Sequence, residues 1–212
     1  MSLFLIDAGK EWRGGQRQVL FLARELRKTK HSFWLAVQRG GPLHEKAEQE
    51  GLPLLPLRMR NEADLLAVLR LAAAMRRRRC VLAHFHDAHG AGLGTRAAGL
   101  AKVPLRVISR RVDFPLKSKS KYIKEIDAII AISEGVKKVL IDDGIPPQLI
   151  EVIPSGIDFS PFEEVREHDF LRREFHFGPD DYLVGIVAQL EDHKGHRTSS
   201  RRPRSSRARS RG

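Results

Sequence analysis

The stretch Ser2-Leu-Phe-Leu-Ile-Asp-Ala8, followed by Gly9-Lys-Glu-Trp-Arg-Gly14-Gly15-Gln-Arg-Gln18, decides the fold. Its first seven residues are a short apolar run stopped by Gly9, the pattern of a parallel strand buried on both faces. Over residues 15–28 the period changes. Val19, Leu22, Ala23 and Leu26 fall at helical spacing, while Arg17, Arg24 and Arg27 lie mostly elsewhere. Strand, glycine-bearing loop and helix form one unit, and the unit recurs. Strands are expected at 32–37, 52–57, 81–85, 105–109 and 128–132, with helices at 43–49, 62–75, 92–100 and 134–142. Such alternation predicts an α/β fold with a Rossmann-like, doubly wound, mostly parallel sheet, which receives ligands beyond the carboxyl ends of its strands.

Further along, Gly144 and Pro146-Pro147 end the last helix, and a short strand at 151–153 leads into Pro154-Ser-Gly156, a turn. The expected organisation is a Rossmann-like domain over residues 1–160, an interdomain linker over 161–180, and the first strand and loop of a second domain over 181–197. Residues 198–212 contain no large apolar side chain and read as a disordered Arg/Ser-rich tail. The polypeptide therefore reads as the first half of a two-domain protein with a foreign or out-of-frame end.

The formal net charge is +12, but residues 197–211 hold seven arginines and no acid, so 31 basic side chains face 26 acidic ones in the rest. That body is only mildly basic. Its positive residues cluster at Arg76-Arg-Arg-Arg79 and at Lys117, Lys119, Lys121 and Lys124, which fit a solvated surface or peripheral contact with anionic headgroups. The tail adds counterion-release affinity for nucleic acid without sequence readout, so no specific nucleic-acid partner is expected. A single Cys80 excludes a disulfide framework and suits a reducing compartment. No export signal and no apolar stretch of about 20 residues is evident, and the expected location is cytoplasmic.

Three constellations carry chemistry. Gly14 and Gly15, between the first strand and first helix, let backbone approach a ligand, and the free N–H groups of a helix start favour phosphate or a sugar hydroxyl. At the end of a strand stands His84-Phe-His86-Asp87-Ala-His89. His84 and His86 point to one face of an extended strand. The cluster admits a zinc site and hence a metal-dependent hydrolase, a polar site where a histidine bonds a substrate hydroxyl, or satisfied structural histidines. Gly90-Ala-Gly92-Leu-Gly94-Thr95 mimics a dinucleotide fingerprint of an NAD enzyme, yet Thr95 stands where the third glycine belongs, and close helix packing is the expected use.

In addition, Ile132-Ser133, Pro154-Ser-Gly156-Ile-Asp158 and Gln189-Leu-Glu-Asp-His-Lys-Gly195 follow in that order. Together with Asp7-x-Gly9 and Trp12-Arg-Gly-Gly-Gln-Arg-Gln18, they resemble the retaining glycosyltransferases of family 4. These have the GT-B architecture, two Rossmann-like domains facing across a cleft. The resemblance covers residues 1 to about 197. It implies an N-terminal, acceptor-side domain, with Gly14, Gly15, Arg17, His84, Ser133 and Gly156 binding substrate along the cleft. His86 would be the catalytic imidazole near the transferred sugar. Lys194 would contact the donor diphosphate, without the companion basic residue, since Gln189 stands in that place.

The family's E-x7-E segment, which holds the donor, lies on a second domain. The resemblance therefore implies a hexosyl-type transfer from a nucleotide-diphosphate sugar to an envelope glycan or lipid-linked acceptor, without a separate cofactor or metal. It also implies that the isolated chain is inactive or nearly so. The rival reading is a non-catalytic module that binds acceptor or an anionic membrane surface.

Overall fold

The computed structural model describes residues 1–116, 119–163, 169–188, 190 and 195–199. The chain divides into two compact units, residues 1–157 and 158–212. The first unit alternates strands and helices throughout: β1 (Ser2–Asp7), α1 (Gly14–Arg27), β2 (Ser32–Gln38), α2 (Pro42–Gln49), β3 (Leu54–Leu57), α3 (Leu65–Arg77) and β4 (Cys80–Phe85). It continues with α4 (Ala88–Ala101), β5 (Leu105–Arg110), α5 (Lys119–Lys124), β6 (Ala128–Ala131), α6 (Glu134–Asp142) and β7 (Ile150–Val152).

All seven strands join one sheet in the order β3-β2-β1-β4-β5-β6-β7, and every pairing is parallel. The order reverses between β1 and β4. Right-handed crossovers then place α1 and α2 on one face and the later helices on the other, and the period-2 alternation of the strands serves both. In β1, Leu5 joins Val19, Leu20, Ala23, Leu43 and Ala47 under α1 and α2. Phe4 and Ile6 join Val68, Leu71, Met75, Leu93 and Ala97 under α3 and α4.

Element boundaries follow their caps. The helix expected from residue 92 begins at Ala88, because the Asp87 carboxylate accepts hydrogen bonds from the N–H groups of His89 and Gly90. The one expected from 62 begins at Leu65, capped by Asp64, which accepts from Ala67 N at 3.1 Å. A Cβ added to Gly94 would sit 2.4 Å from the Phe85 ring, and one on Gly90 would sit 2.4 Å from Asp87 Oδ1 and 3.3 Å from Ile6 O. These glycines let α4 lie against the sheet, which is the packing use expected of them.

The basic run at 76–79 does not make one charged face. Arg78 stacks 3.6 Å over the Trp34 ring, Arg76 donates to Leu100 O at the end of α4, and Arg79 turns the chain at φ 51°. Lys117 lies outside the described residues, and α5 was not expected.

In the second unit, α7 (Ser160–Glu163), α8 (Phe170–Glu174) and α9 (His196–Ser199) are short helices. The strand expected at 182–188 is not formed: Tyr182, Val184 and Val187 are fully exposed and extend without a ladder partner. A strand exists only through pairing, and no other described residue of this unit offers an edge. Thr198 and Ser199, expected in the unstructured tail, close the single turn of α9, while residues 200–212 lie outside the described residues. Among the described residues no helix is long and apolar enough to cross a membrane.

Candidate functional site

The switch between β1 and β4 opens a crevice at the carboxyl edge of a doubly wound sheet. The residues that meet there are drawn from four loops. At the end of β1, Asp7 is almost wholly buried at 1% exposure. Its Oδ1 accepts from Gly9 N at 2.9 Å and Gln16 Nε2 at 3.0 Å. A Cβ on Gly9 would fall 2.3 Å from Gln16 Nε2, so only glycine leaves the amide room to reach the carboxylate. Gln16 Oε1 in turn accepts from Arg13 N at 3.2 Å, which shapes the loop ahead of Gly14 and Gly15. A Cβ on Gly14 would meet nothing within 4 Å, so open space faces that position.

The histidines stand at the end of β4, His84 within the strand and His86 just past it. Their rings share one face, as the strand period requires, with centroids 3.9 Å apart. His84 Nε2 lies 2.8 Å from Ser109 Oγ on β5. His86 is only 4% exposed, and neither of its ring nitrogens has a hydrogen-bond partner. Asp87 accepts from Ala8 N at 2.9 Å and so ties β1 to the start of α4.

Arg111, which sequence reasoning missed, follows β5 and unites these parts. Its Cδ would be 3.8 Å from a Cβ on Gly15, and its Nη1 reaches Ser155 Oγ at 3.5 Å. Gln18 of α1 grips the adjoining Gly156 twice: Nε2 donates to Gly156 O at 2.7 Å, and Gly156 N donates to Gln18 Oε1 at 3.0 Å. The signal that could have found Arg111 is positional, a cation directly after a strand of the carboxyl edge.

Burial and charge act together here. Desolvation, then the neighbouring Asp87, raise the Asp7 carboxyl to about 6 against the lowering pull of Gln16, Gly9 and Arg111. Burial lowers the His84 imidazole to about 4, helped by Arg111. His86 is driven well below its ordinary value by burial, then by His84 and Arg111. Both imidazoles are therefore neutral at pH 7, and Arg111 is the cation beside them. A neutral imidazole offers one donor and one acceptor, and neither place on the buried His86 ring is taken by a hydrogen-bond partner.

The expected substrate-binding residues divide by position. Gly14, Gly15, His84, His86 and Gly156 are brought around Arg111 and Gln18. Arg17 is exposed on the first turn of α1. Ser133 caps α6, its Oγ accepting from Val136 N at 3.2 Å, at the end of β6, two strands from β4. Lys194 lies outside the described residues. Among the described residues no three of His, Cys, Asp and Glu gather as metal ligands. His84, His86 and His89, read from the sequence as a possible zinc cluster, are not so gathered: His84 Nε2 faces Ser109 Oγ at 2.8 Å, and the two strand rings lie tilted at 39° with centroids 3.9 Å apart. Two clefts flank the loops. One of about 360 Å³ is lined by Gly9, Lys10, Arg13, Gln16, Asp87 and His89. Another of about 700 Å³ is lined by residues including Glu62, Arg96, Arg110, Phe114 and Tyr122.

Comparison with known proteins agrees with this architecture. Residues 12–160 match the family described as Glycosyltransferase Family 4. No curated protein matches the chain. Among solved structures, HepE of Anabaena in complex with UDP and glucose is similar at 17% identity and TM-score 0.65, over 83% of this chain and 50% of its own. A glycosyltransferase of Rickettsia africae is similar at 15% identity and TM-score 0.73, over 92% of this chain and 54% of its own. MurG of Acinetobacter baumannii gives 13% identity and TM-score 0.58, over 78% of this chain and 47% of its own. The chain thus spans about half the length of these proteins. Such low identities speak for the fold alone, whereas the family match extends across most of the parallel sheet, and the chain belongs to glycosyltransferase family 4.

Proposed function

We propose that this chain is the acceptor-side wall of a retaining, GT-B glycosyltransferase that moves a hexosyl group from a nucleotide-diphosphate sugar to a glycan or lipid-linked acceptor of the cell envelope. The observation that carries the reading is His86, buried, held neutral and without a partner at the switch point, with the Arg111 cation beside it. A hydroxyl of the transferred sugar would take the unpartnered donor or acceptor place on the imidazole once the loops at the crevice admit it. Arg111 and the N–H groups at Gly14 and Gly15 would answer negative charge that grows on the donor phosphate as the leaving group departs. HepE was solved with UDP-glucose, which supports a nucleotide sugar as the donor. No further cofactor or metal enters this scheme. The work would be done at the cytoplasmic face of a membrane.

Such chemistry needs the cleft closed from both sides. With the donor-side half supplied by fusing the chain, its own Lys194 included, to the second domain of a family 4 relative, transfer to a glycan acceptor is measured for the unaltered sequence and for His86→Ala and Arg111→Met. Each substitution is expected to lower kcat by roughly a hundredfold or more, with thermal unfolding preserved. Undiminished kcat in His86→Ala would overturn the assignment. Acceptor binding by the chain, with no transfer by the fusion, would favour the non-catalytic binding module instead.

A further inference from the structure

The loop between β1 and α1 is held at four points. Asp87, at the start of α4, takes the Ala8 N–H at 2.9 Å, and Asp7 takes the Gly9 N–H at 2.9 Å. Trp12 packs on the cluster under α1 and α2, with Lys46 Nζ 4.9 Å from its ring centroid. Gln16 completes the set, because its Nε2 donates to both oxygens of Asp7, at 3.0 and 3.2 Å, while its Oε1 accepts from Arg13 N at 3.2 Å. One side-chain amide thus joins the last residue of β1 to the N-cap of α1. Asp7 and Gln16 are both buried, and neither touches a substrate group in the proposed reaction. Burying a carboxylate is costly even when it is hydrogen-bonded. What the pair supplies is geometry, since directed bonds at named atoms fix both ends of the loop where apolar packing would let it slide.

Gly9 shows how closely these parts meet. A Cβ there would fall 2.3 Å from Gln16 Nε2 and 2.8 Å from Asp7 Oδ1, so a larger residue pushes the amide off the carboxylate. Beyond the clasp, Gly14 opens α1 with no side-chain cap hydrogen bond, and a Cβ on Gly15 would meet Arg111 Cδ at 3.8 Å. First-turn N–H groups have no intrahelical acceptor, so what they bind depends on where the loop sets them. A displacement of about 1 Å there is enough to slow a transfer reaction roughly a hundredfold. We propose that Asp7 and Gln16 are positioning residues: their carboxylate–amide clasp holds the β1–α1 loop so that Gly14 and Gly15 meet the donor phosphate beside Arg111. The role rests on the sugar-transfer reading, while the clasp itself does not.

Hydrogen exchange of the whole chain, read over peptides covering residues 9–15 and 18–27, tests the clasp. Its role is tested by kcat and acceptor KM in the fusion to a family 4 donor-side domain. Gln16→Ala should quicken exchange over 9–15 about tenfold or more and leave 18–27 unchanged. In the fusion it should lower kcat roughly tenfold to a hundredfold, with KM for the glycan acceptor within about twofold. Gly9→Ala, which alters neither partner, should do the same. The swapped pair, Asp7→Asn with Gln16→Glu, keeps every bond in kind. Its new amide takes the Gly9 N–H and donates to the new carboxylate, whose other oxygen takes the Arg13 N–H. The pair should restore slow loop exchange and bring kcat to within about fivefold of the unaltered sequence, whereas Gln16→Glu alone sets two carboxylates against each other and should not. Unchanged loop exchange or unchanged kcat in Gln16→Ala overturns the proposal, as does a swapped pair no better than Gln16→Ala. Loop exchange that responds as stated, with no transfer by the unaltered fusion, would instead sink the sugar-transfer reading and leave the clasp in place.

Discussion

Asp7 and His84 titrate in the fold with opposite consequences. The carboxyl is raised from 3.8 to about 6, so the contribution of Asp7 to stability is present at acid pH and is lost as pH rises through 6. The imidazole is lowered from 6.5 to about 4, so the contribution of His84 is full above 6.5 and is lost as pH falls towards 4. In the unaltered protein the two windows overlap and partly cancel. Substituting Asp7→Asn removes one of them while keeping an oxygen for Gly9 N–H. Relative to the parent, the variant is expected to gain about 2 kcal/mol of unfolding free energy between pH 4 and pH 7.5. Urea unfolding at the two pH values checks this, and parallel profiles would contradict it. At this scale the sequence pointed to the paired glycines and the strand-end histidines, which the fold brings to the switch point of the sheet. It did not reveal Arg111 or Gln18, because their importance comes from loops that are distant in the chain and meet only once the sheet is wound.

Helix α4 is the element that holds the crevice in shape. Asp87 caps it and also bonds Ala8, while Gly94 leaves space for the Phe85 ring against the sheet. Gly94→Ala would force its new methyl into that ring, at a cost of about 1–3 kcal/mol. Adding Phe85→Leu should recover most of the loss, because a smaller side chain vacates the clash. A thermal-unfolding cycle over the two single variants and the double variant measures the coupling. Additive losses, without rescue, would show that the ring and the glycine do not share one space. The alternation of strands and helices could be read directly from apolar periods, since each strand of a parallel sheet is buried on both faces. Boundaries were less legible. The caps Asp64 and Asp87 set the starts of α3 and α4, and a period of apolar residues does not register a cap. The strand expected at 182–188 failed for a different reason: its apolar run is genuine, but pairing belongs to a neighbour and not to the run itself.

For the molecule as a whole, both apolar clusters lie within residues 1–157. The second unit instead exposes Tyr182, Val184, Val187 and Leu190. Deleting residues 179–212 should therefore leave the melting temperature within about 2 °C and raise solubility, because an unpaired apolar segment promotes association. A large fall in melting temperature would refute it. The chain spans about half the length of the solved glycosyltransferases whose fold it shares, and under the function proposed above its sheet's carboxyl edge would supply one side of a sugar-transfer cleft. Nucleotide release from UDP-glucose and GDP-mannose, with and without a glycan acceptor, tests that claim most directly when the chain is assayed alone and then fused to a donor-side domain. The account predicts no release above the solvent rate for the chain alone and acceptor-dependent release by the fusion. Acceptor-dependent turnover by the chain alone, equal to that of the fusion, would contradict it.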